Sequence, residues 1–206
     1  IIFDEWGTWY NVEPGTNPGF LFQQNTVRDA LVAGVALNIF NSHCDRVQMA
    51  NIAQLVNVLQ SVILTEGEKM VLTPTYHVFD MYKDHMGSKL LQSGFKGQVP
   101  EYRFGEDSVP AVSMSASMSE ETGHIFITIC NLDPNNSQNI EVDIRGTACK
   151  LSEAEGTVLA GSAMNAHNTF DKPDNVKPAA MNRIPVKDNV LEVTLPPMSV
   201  SAITVR

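Results

Sequence analysis

The sequence predicts an α/β segment over residues 1–87 and an all-β segment over residues 88–206. In the first segment, short apolar runs alternate with helical patterns and no tight turn joins them, which is typical of parallel βα units. In the second, turn residues separate short runs of alternating apolar and polar residues, which is typical of an antiparallel β-sandwich. A chain of 206 residues can form one large or two modest domains.

The α/β segment opens with a short apolar strand, Ile1–Phe3, and a turn-rich loop over residues 11–23 precedes the first helix. That helix is predicted over Thr26–Ser42, with Thr26 as N-cap and Asp29 completing an approximate capping box. Its apolar and small residues share one face, which would allow close approach to a sheet. The other predicted elements are a strand, a hairpin or extended excursion, and a helix, over Arg46–Ala53, 62–73 and Thr75–His85.

The all-β segment contains several runs with a period of two residues. The clearest of them cover residues 112–118, 125–130, 140–144, 157–160, 190–195 and 200–205. In the run over 112–118, the apolar residues alternate with serines. Such alternation predicts that one face of the sheet is buried and that the other faces solvent.

Composition excludes several function classes. The net charge of −9 disfavours nucleic acid and anionic membranes as partners, because both require basic patches. No apolar run approaches the roughly 20 residues of a membrane span. Cys44, Cys130 and Cys149 show no metal-binding spacing and are predicted to be buried free thiols. Free thiols favour a reducing compartment such as the cytoplasm, while a periplasmic or secreted location stays open, because the chain starts inside a strand without Met.

The residues after the first strand form a candidate site. Asp4 and Glu5 are adjacent carboxylates, and strand alternation would send them to opposite faces. Trp6 and Trp9 follow, and a tryptophan beside a carboxylate suits a sugar-sized pocket. Glu5 and Gln54 both fall at the carboxyl ends of predicted parallel strands, where such folds place their chemistry. The residues alone also allow a solvated acid pair beside two core tryptophans.

Four sequence blocks resemble the C-terminal part of the glycoside hydrolase family 51 α-L-arabinofuranosidases, in the order and at the spacing of that family. The blocks are Asp4–Tyr10, Asp29–Gly34, His43–Val47 and Ala53–Val58. The resemblance implies the last two βα units of a (β/α)8 TIM barrel, followed by a jelly-roll-like antiparallel β-sandwich. A complete barrel takes about 250 residues, so we expect a longer protein whose preceding barrel strands cover the open strand edges and the apolar side of helix 26–42.

The resemblance also implies roles for individual residues. Glu5 matches the nucleophile of a retaining mechanism, Trp9 matches a tryptophan that borders the sugar pocket, and Gln54 matches a glutamine that binds sugar hydroxyls. The acid/base of the family is a Glu that follows an Asn, and no Asn-Glu dipeptide occurs in this sequence. The isolated chain is therefore expected to be inactive. The implied substrates are arabinofuranosyl oligosaccharides and polysaccharides, without metal or cofactor, and a homo-oligomer is possible in such a family.

Two alternatives stay open at the level of the sequence. The first is a non-catalytic carbohydrate-binding or structural β-sandwich, although residues 88–206 contain no Trp that could serve as a stacking platform. The second is a related retaining glycosidase with another sugar specificity, because most substrate-reading loops would lie upstream.

Overall fold

The computed structural model describes residues 1–147 and 150–206, so Cys149 lies outside the described residues. Every element predicted for the first segment is present. The elements are β1 (Ile2–Phe3), α1 (Val27–Ser42), β2 (Met49–Ala50), β3 (Ile63–Glu66), β4 (Lys69–Leu72) and α2 (Pro74–Tyr82). A 3₁₀ turn, Lys83–His85, extends α2. Strand β2 is much shorter than the predicted Arg46–Ala53.

Strands β1 and β2 are parallel neighbours, and α1 connects them. Ile2 pairs with Met49, and Phe3 pairs with Ala50. The predicted cap of α1 is confirmed in part, because a carboxylate oxygen of Asp29 accepts a hydrogen bond from the backbone N–H of Thr26 at 2.8 Å. Within the described residues, no helix is long and apolar enough to cross a membrane.

The second segment consists of antiparallel sheets. Its strands are β5 (Lys89–Leu90), β6 (Glu101–Phe104), β7 (Asp107–Pro110), β8 (Val112–Met118), β9 (Ile125–Asn131), β10 (Gln138–Asp143), β11 (Ala154–Ala160), β12 (Ala179–Ala180), β13 (Val186–Lys187), β14 (Val190–Leu195) and β15 (Ser199–Val205). A six-stranded sheet has the order β12-β11-β15-β9-β8-β5, and a three-stranded sheet has the order β10-β14-β13. Strands β6 and β7 form a separate hairpin. The predicted sandwich is confirmed, and its jelly-roll-like topology stays a prediction.

The core of the sandwich lies between the two sheets. One face of β9 contributes Ile125, Ile127 and Ile129, as its period of two residues predicts. Leu191, Val193 and Leu195 of β14 face them from the smaller sheet, and these apolar side chains are all buried.

The other face of the six-stranded sheet does not face solvent, so that part of the prediction is wrong. Helices α1 and α2 cover it and share a second core with β9, β11 and β15. The buried members of this core are Val27, Ala30, Leu31, Ala33, Val78, Tyr82, Cys130, Leu159, Val176 and Val200. The expectation that preceding barrel strands would cover the apolar side of helix 26–42 is also wrong, because this sheet covers it.

The serines that alternate along β8 bind the helices instead of water. Asn38 of α1 is 1% exposed, and its side-chain oxygen accepts hydrogen bonds from the hydroxyls of Tyr82, Ser115 and Thr128 at 3.0, 2.9 and 2.8 Å. Its amide group donates to the hydroxyl of Ser113 at 3.2 Å. A buried polar group is tolerated when its hydrogen bonds are made, so this network makes a polar sheet face compatible with a dry interface.

His85 extends the same network from the 3₁₀ turn. Its Nδ1 lies 2.7 Å from the hydroxyl of Ser117, and its Nε2 lies 3.0 Å from that of Thr128. Burial lowers the pKa of His85 from 6.5 to about 4, and the nearby Asp84 only partly opposes this shift. The ring is therefore neutral at pH 7. Cys130 is also buried here as a free thiol, whereas Cys44 is exposed, contrary to the prediction.

Acid should weaken this interface through His85. The unfolded chain binds the proton at a pKa near 6.5 and the folded chain only near 4. The contribution of neutral His85 to the unfolding free energy is therefore fully present above pH 6.5. It is lost as the pH drops toward 4, and the loss is no more than about 3 kcal/mol. We expect urea unfolding followed by circular dichroism to show a smaller loss between pH 7 and pH 4.5 in His85→Gln than in the wild type. Equal losses in both proteins would contradict this role.

Gly34 should resist substitution because α1 lies directly on the sheet at this point. An added Cβ would lie 2.6 Å from the Sγ of Cys130 and 3.3 Å from the Oη of Tyr82. Overpacking costs about 1–3 kcal/mol and should outweigh the gain of about 1 kcal/mol in helix propensity. We expect Gly34→Ala to lower the unfolding free energy and Cys130→Ala to reduce that penalty. Gly94→Ala, whose Cβ meets nothing within 4 Å, is the control, and a Gly34→Ala protein as stable as the wild type would refute the steric argument.

Candidate functional site

The candidate site lies where β1 and β2 end. Beyond the paired residues, the N–H of Asn51 donates to the carbonyl of Phe3 at 2.8 Å, and that of Ala53 donates to the carbonyl of Trp6 at 3.3 Å. The two backbones therefore stay adjacent past the strands. The segments that carry Glu5 and Gln54 lie side by side at the carboxyl edge of the parallel pair.

The predicted site side chains are accessible at this edge. Glu5 and Gln54 are both exposed, and Trp9 is 67% exposed. Asp4 is exposed as well. The predicted alternation does not reach Asp4 and Glu5, because β1 ends at Phe3 and Glu5 already lies in a bend.

The two tryptophans have different environments. The ring of Trp6 stacks near that of Phe79, with centroids 5.9 Å apart, and meets the edge of Phe40 at 5.4 Å. Trp6 therefore joins the packing of α1 against α2. Trp9 projects from the same loop with most of its surface exposed, so it is the tryptophan that can offer a ring face to a ligand.

Thr8 fixes the loop between Glu5 and Trp9. Its carbonyl accepts hydrogen bonds from the side-chain amides of Gln23 at 3.1 Å and Gln60 at 2.9 Å. Its hydroxyl donates to the carboxylate of Asp29 at 2.8 Å. The backbone N–H of Tyr10 donates to the side-chain oxygen of Gln23 at 2.8 Å, so the loop is held from both sides.

Asp29 is a fully buried carboxylate at the start of α1, with 0% exposure. One oxygen accepts hydrogen bonds from the backbone and hydroxyl of Thr26, and the guanidinium of Arg28 lies 3.5 Å away. The other oxygen faces Thr8 and Gln60. These donors and the positive end of the helix dipole compensate the burial of the charge.

Sequence reasoning did not find the residues that hold this loop. The sequence predicts Asp29 as part of a helix cap. Its contact with Thr8, 21 residues away, produces no local sequence pattern. Gln60 lies in an irregular segment with φ of 59°, a conformation that is uncommon for residues other than glycine, and it is 1% exposed. The amide side chains at positions 23 and 60 give no periodic signal.

Other surfaces of the chain lie apart from this edge. A groove of about 470 Å³ is found in the sandwich, where Glu153, Arg183 and Arg206 contribute to its walls. Within residues 1–147 and 150–206, no group of three or more His, Cys, Asp or Glu side chains is arranged to hold a metal ion.

Comparison with known proteins places the chain beside the α-L-arabinofuranosidases. The model of the α-L-arabinofuranosidase C-terminal domain matches residues 4–199. The intracellular exo-α-L-arabinofuranosidase of Bacteroides ovatus is 43% identical over 200 residues, which cover 97% of this chain and 38% of that protein. The exo-α-(1→6)-L-arabinofuranosidase of Bifidobacterium longum is 28% identical over 222 residues, which cover 100% of this chain and 42% of that protein.

Solved structures agree with this family. The GH51 arabinofuranosidase from Xanthomonas axonopodis pv. citri superposes with a TM-score of 0.93 at 46% identity, over 100% of this chain and 41% of that one. The thermostable GH51 α-L-arabinofuranosidase from Thermotoga petrophila gives a TM-score of 0.83 at 28% identity, and the match covers 100% of this chain and 43% of that one. The chain thus spans about two fifths of the length of the relatives it matches.

Proposed function

Because the chain belongs to the family of α-L-arabinofuranosidase C-terminal domains, we propose that it supplies the nucleophile of a retaining α-L-arabinofuranosidase. The whole protein would release terminal non-reducing α-L-arabinofuranosyl residues from arabinan, arabinoxylan and arabino-oligosaccharides. This chain alone would be inactive, because it contributes one of the two carboxyl groups that the reaction needs.

The observation that carries this proposal is the shared edge of β1 and β2. It brings an exposed carboxylate, an exposed tryptophan and an exposed glutamine, at positions 5, 9 and 54, to neighbouring segments. A carboxylate can attack a sugar carbon, an aromatic ring can cover sugar C–H groups, and an amide can bind hydroxyls. All three residues fall within the range that the family model matches.

We infer that β1, α1, β2 and α2 form the last two βα units of a TIM barrel, with the division at residues 87 and 88. Several large apolar side chains are exposed around this parallel pair. They are Ile1, Ile2, Phe3, Ile39, Met49, Leu55 and Val56, with exposures of 38–65%. A preceding part of a longer protein would cover them and would pair with the open strand edges.

In the proposed mechanism, the carboxylate of Glu5 attacks the anomeric carbon of the arabinofuranosyl residue. A Glu on the preceding part protonates the departing glycosidic oxygen, so the carbon–oxygen bond breaks as the glycosyl ester forms. The same Glu then removes a proton from water, which attacks the anomeric carbon; the bond to the Glu5 oxygen breaks, and arabinose with retained configuration and the free Glu5 carboxylate are released. Retaining enzymes hold the two carboxyl groups about 5–5.5 Å apart, and this reaction needs neither metal nor cofactor.

The sandwich would act as a support for the barrel helices and not as a sugar-binding surface. One face of its larger sheet is covered by α1 and α2, and the other face forms the core with the smaller sheet. In the described part of the chain, the two broad faces of the larger sheet are therefore occupied by packing, and the groove beside Glu153 and Arg206 lies at its edge.

Removal of the Glu5 carboxylate should abolish turnover in the full-length enzyme. We expect Glu5→Ala to reduce hydrolysis of an aryl α-L-arabinofuranoside by at least about 10³-fold, because the glycosyl ester can no longer form. Azide should restore part of the activity by occupying the space of the carboxylate and attacking the sugar, giving an arabinosyl azide detectable by mass spectrometry. Asp4→Ala is the neighbouring control. Unchanged turnover in Glu5→Ala would refute the role.

Trp9 and Gln54 should act in substrate binding. We expect Trp9→Ala in the full-length enzyme to raise KM for the aryl arabinofuranoside by about tenfold, since a stacked ring contributes about 1–3 kcal/mol. Gln54→Ala should lower kcat/KM by about tenfold through the loss of hydrogen bonds to sugar hydroxyls. Trp9→Phe, which keeps a ring, is the matched control and should retain most of the affinity. If Trp9→Ala and Trp9→Phe have wild-type KM values, Trp9 does not border the sugar pocket.

A further inference from the structure

We propose that Asp29 and Gln60 are positioning residues that set the place of Glu5 and Trp9, and that they act through Thr8. This inference rests on the proposed function, since it concerns the loop that carries the nucleophile. Neither side chain is exposed to a ligand, with exposures of 0% and 1%.

The two oxygens of the Asp29 carboxylate have different hydrogen-bond partners. Its Oδ2 accepts the hydrogen bonds of Thr26, which cap α1. Its Oδ1 accepts the hydroxyl hydrogen of Thr8 at 2.8 Å and lies 3.3 Å from the side-chain nitrogen of Gln60. The cap does not require the second oxygen. That oxygen therefore serves the loop, and the charge strengthens both contacts because charge-assisted hydrogen bonds are about twice as strong as neutral ones.

Gln60 holds the loop from the segment that follows Gln54. Its side-chain nitrogen lies 2.9 Å from the carbonyl of Thr8 and 2.6 Å from the Thr8 hydroxyl. The loop rests directly on this side chain, because a Cβ added at Gly7 would lie 2.7 Å from the Cγ of Gln60. Gly7 also has φ of 132°, which other residues rarely adopt.

The position of Thr8 explains how these contacts reach the chemistry. Thr8 is adjacent to Trp9 and three residues from Glu5, and both of those side chains are exposed. In the described part of the chain, their placement depends on the backbone that Thr8 fixes. Attack on the anomeric carbon demands close alignment, and a misplacement of about 1 Å costs about 100-fold in rate.

The test removes the Thr8 hydroxyl in the full-length enzyme. We expect Thr8→Val to lower kcat/KM for an aryl α-L-arabinofuranoside by about 10- to 100-fold. Thr8→Ser, which keeps the donor to Asp29, should restore activity to within about threefold of the wild type. Thermal unfolding is measured for each variant. If Thr8 had only a structural role, Thr8→Val and Thr8→Ser proteins of equal stability would have equal activity, and the serine hydroxyl would not restore it.

Thr75→Val is the matched control. It deletes another fully buried threonine hydroxyl, which donates to the side-chain oxygen of Asn25 at 2.8 Å, outside the loop contacts. We expect Thr75→Val to change kcat/KM by less than about twofold, because it leaves the Thr8 contacts intact.

Three results would overturn the inference: wild-type kcat/KM in folded Thr8→Val, equal damage in Thr8→Ser, or an equal loss in Thr75→Val. If Thr8→Val does not fold, Gln60→Met replaces it. Wild-type kcat/KM in folded Gln60→Met, or an equal loss in Thr75→Val, would then overturn the inference. The Glu5→Ala measurement tests the proposed function separately. A loss in Glu5→Ala with normal Thr8→Val refutes the positioning role alone, whereas normal turnover in Glu5→Ala refutes the nucleophile itself.

Discussion

The structure depends on the dry interface between helix α1 and the six-stranded sheet. A sheet with one apolar and one serine-rich face would ordinarily leave the polar face in water. Here Asn38 supplies the hydrogen-bond partners for that face, and Gly34 permits the close approach that removes water. The sheet is therefore packed on both sides, and the helices gain a rigid support that two short parallel strands could not provide.

The same helix connects this support to the candidate site. Asp29 and Asn38 are nine residues apart, which corresponds to two and a half turns, so they project from opposite sides of α1. Asn38 faces the sandwich, and Asp29 faces the loop that carries Glu5. Phe40 lies on the Asp29 side, and its ring contacts that of Phe3 with centroids 4.7 Å apart. The path from the sandwich to the loop that carries Glu5 therefore runs across one helix, through the buried side chains of Asn38 and Asp29.

The sequence was sufficient for features with a local pattern and insufficient for those made by contacts between distant segments. Helix α1 and strands β8, β9 and β14 follow periodicities that can be counted directly. The serines of β8 have the same pattern whether they face water or a helix, so their burial could not be predicted. The two-residue strands β5, β12 and β13 of the second segment were not predicted, because so short a run has no period. The positions of Glu5 and Gln54 were predictable from the rule for parallel strands, whereas the support from Gln60 spans 52 residues of chain.

The division of the proposed reaction between two parts of a protein places a strict demand on their interface. A retaining mechanism tolerates little variation in the distance between its carboxyl groups. In this chain, the loop that carries Glu5 is held by the hydrogen bond from Thr8 to Asp29 of α1, and α1 itself packs on the sandwich. The remaining freedom lies at the exposed apolar edge of β1 and β2. Because apolar packing fixes distances only when it is close and complete, the fit at this edge would determine whether the second carboxyl group meets Glu5 at the reactive separation. In the proposed mechanism, the contacts of Thr8 would fix the backbone beside Glu5, so misalignment of the two carboxyl groups would arise mainly at that interface.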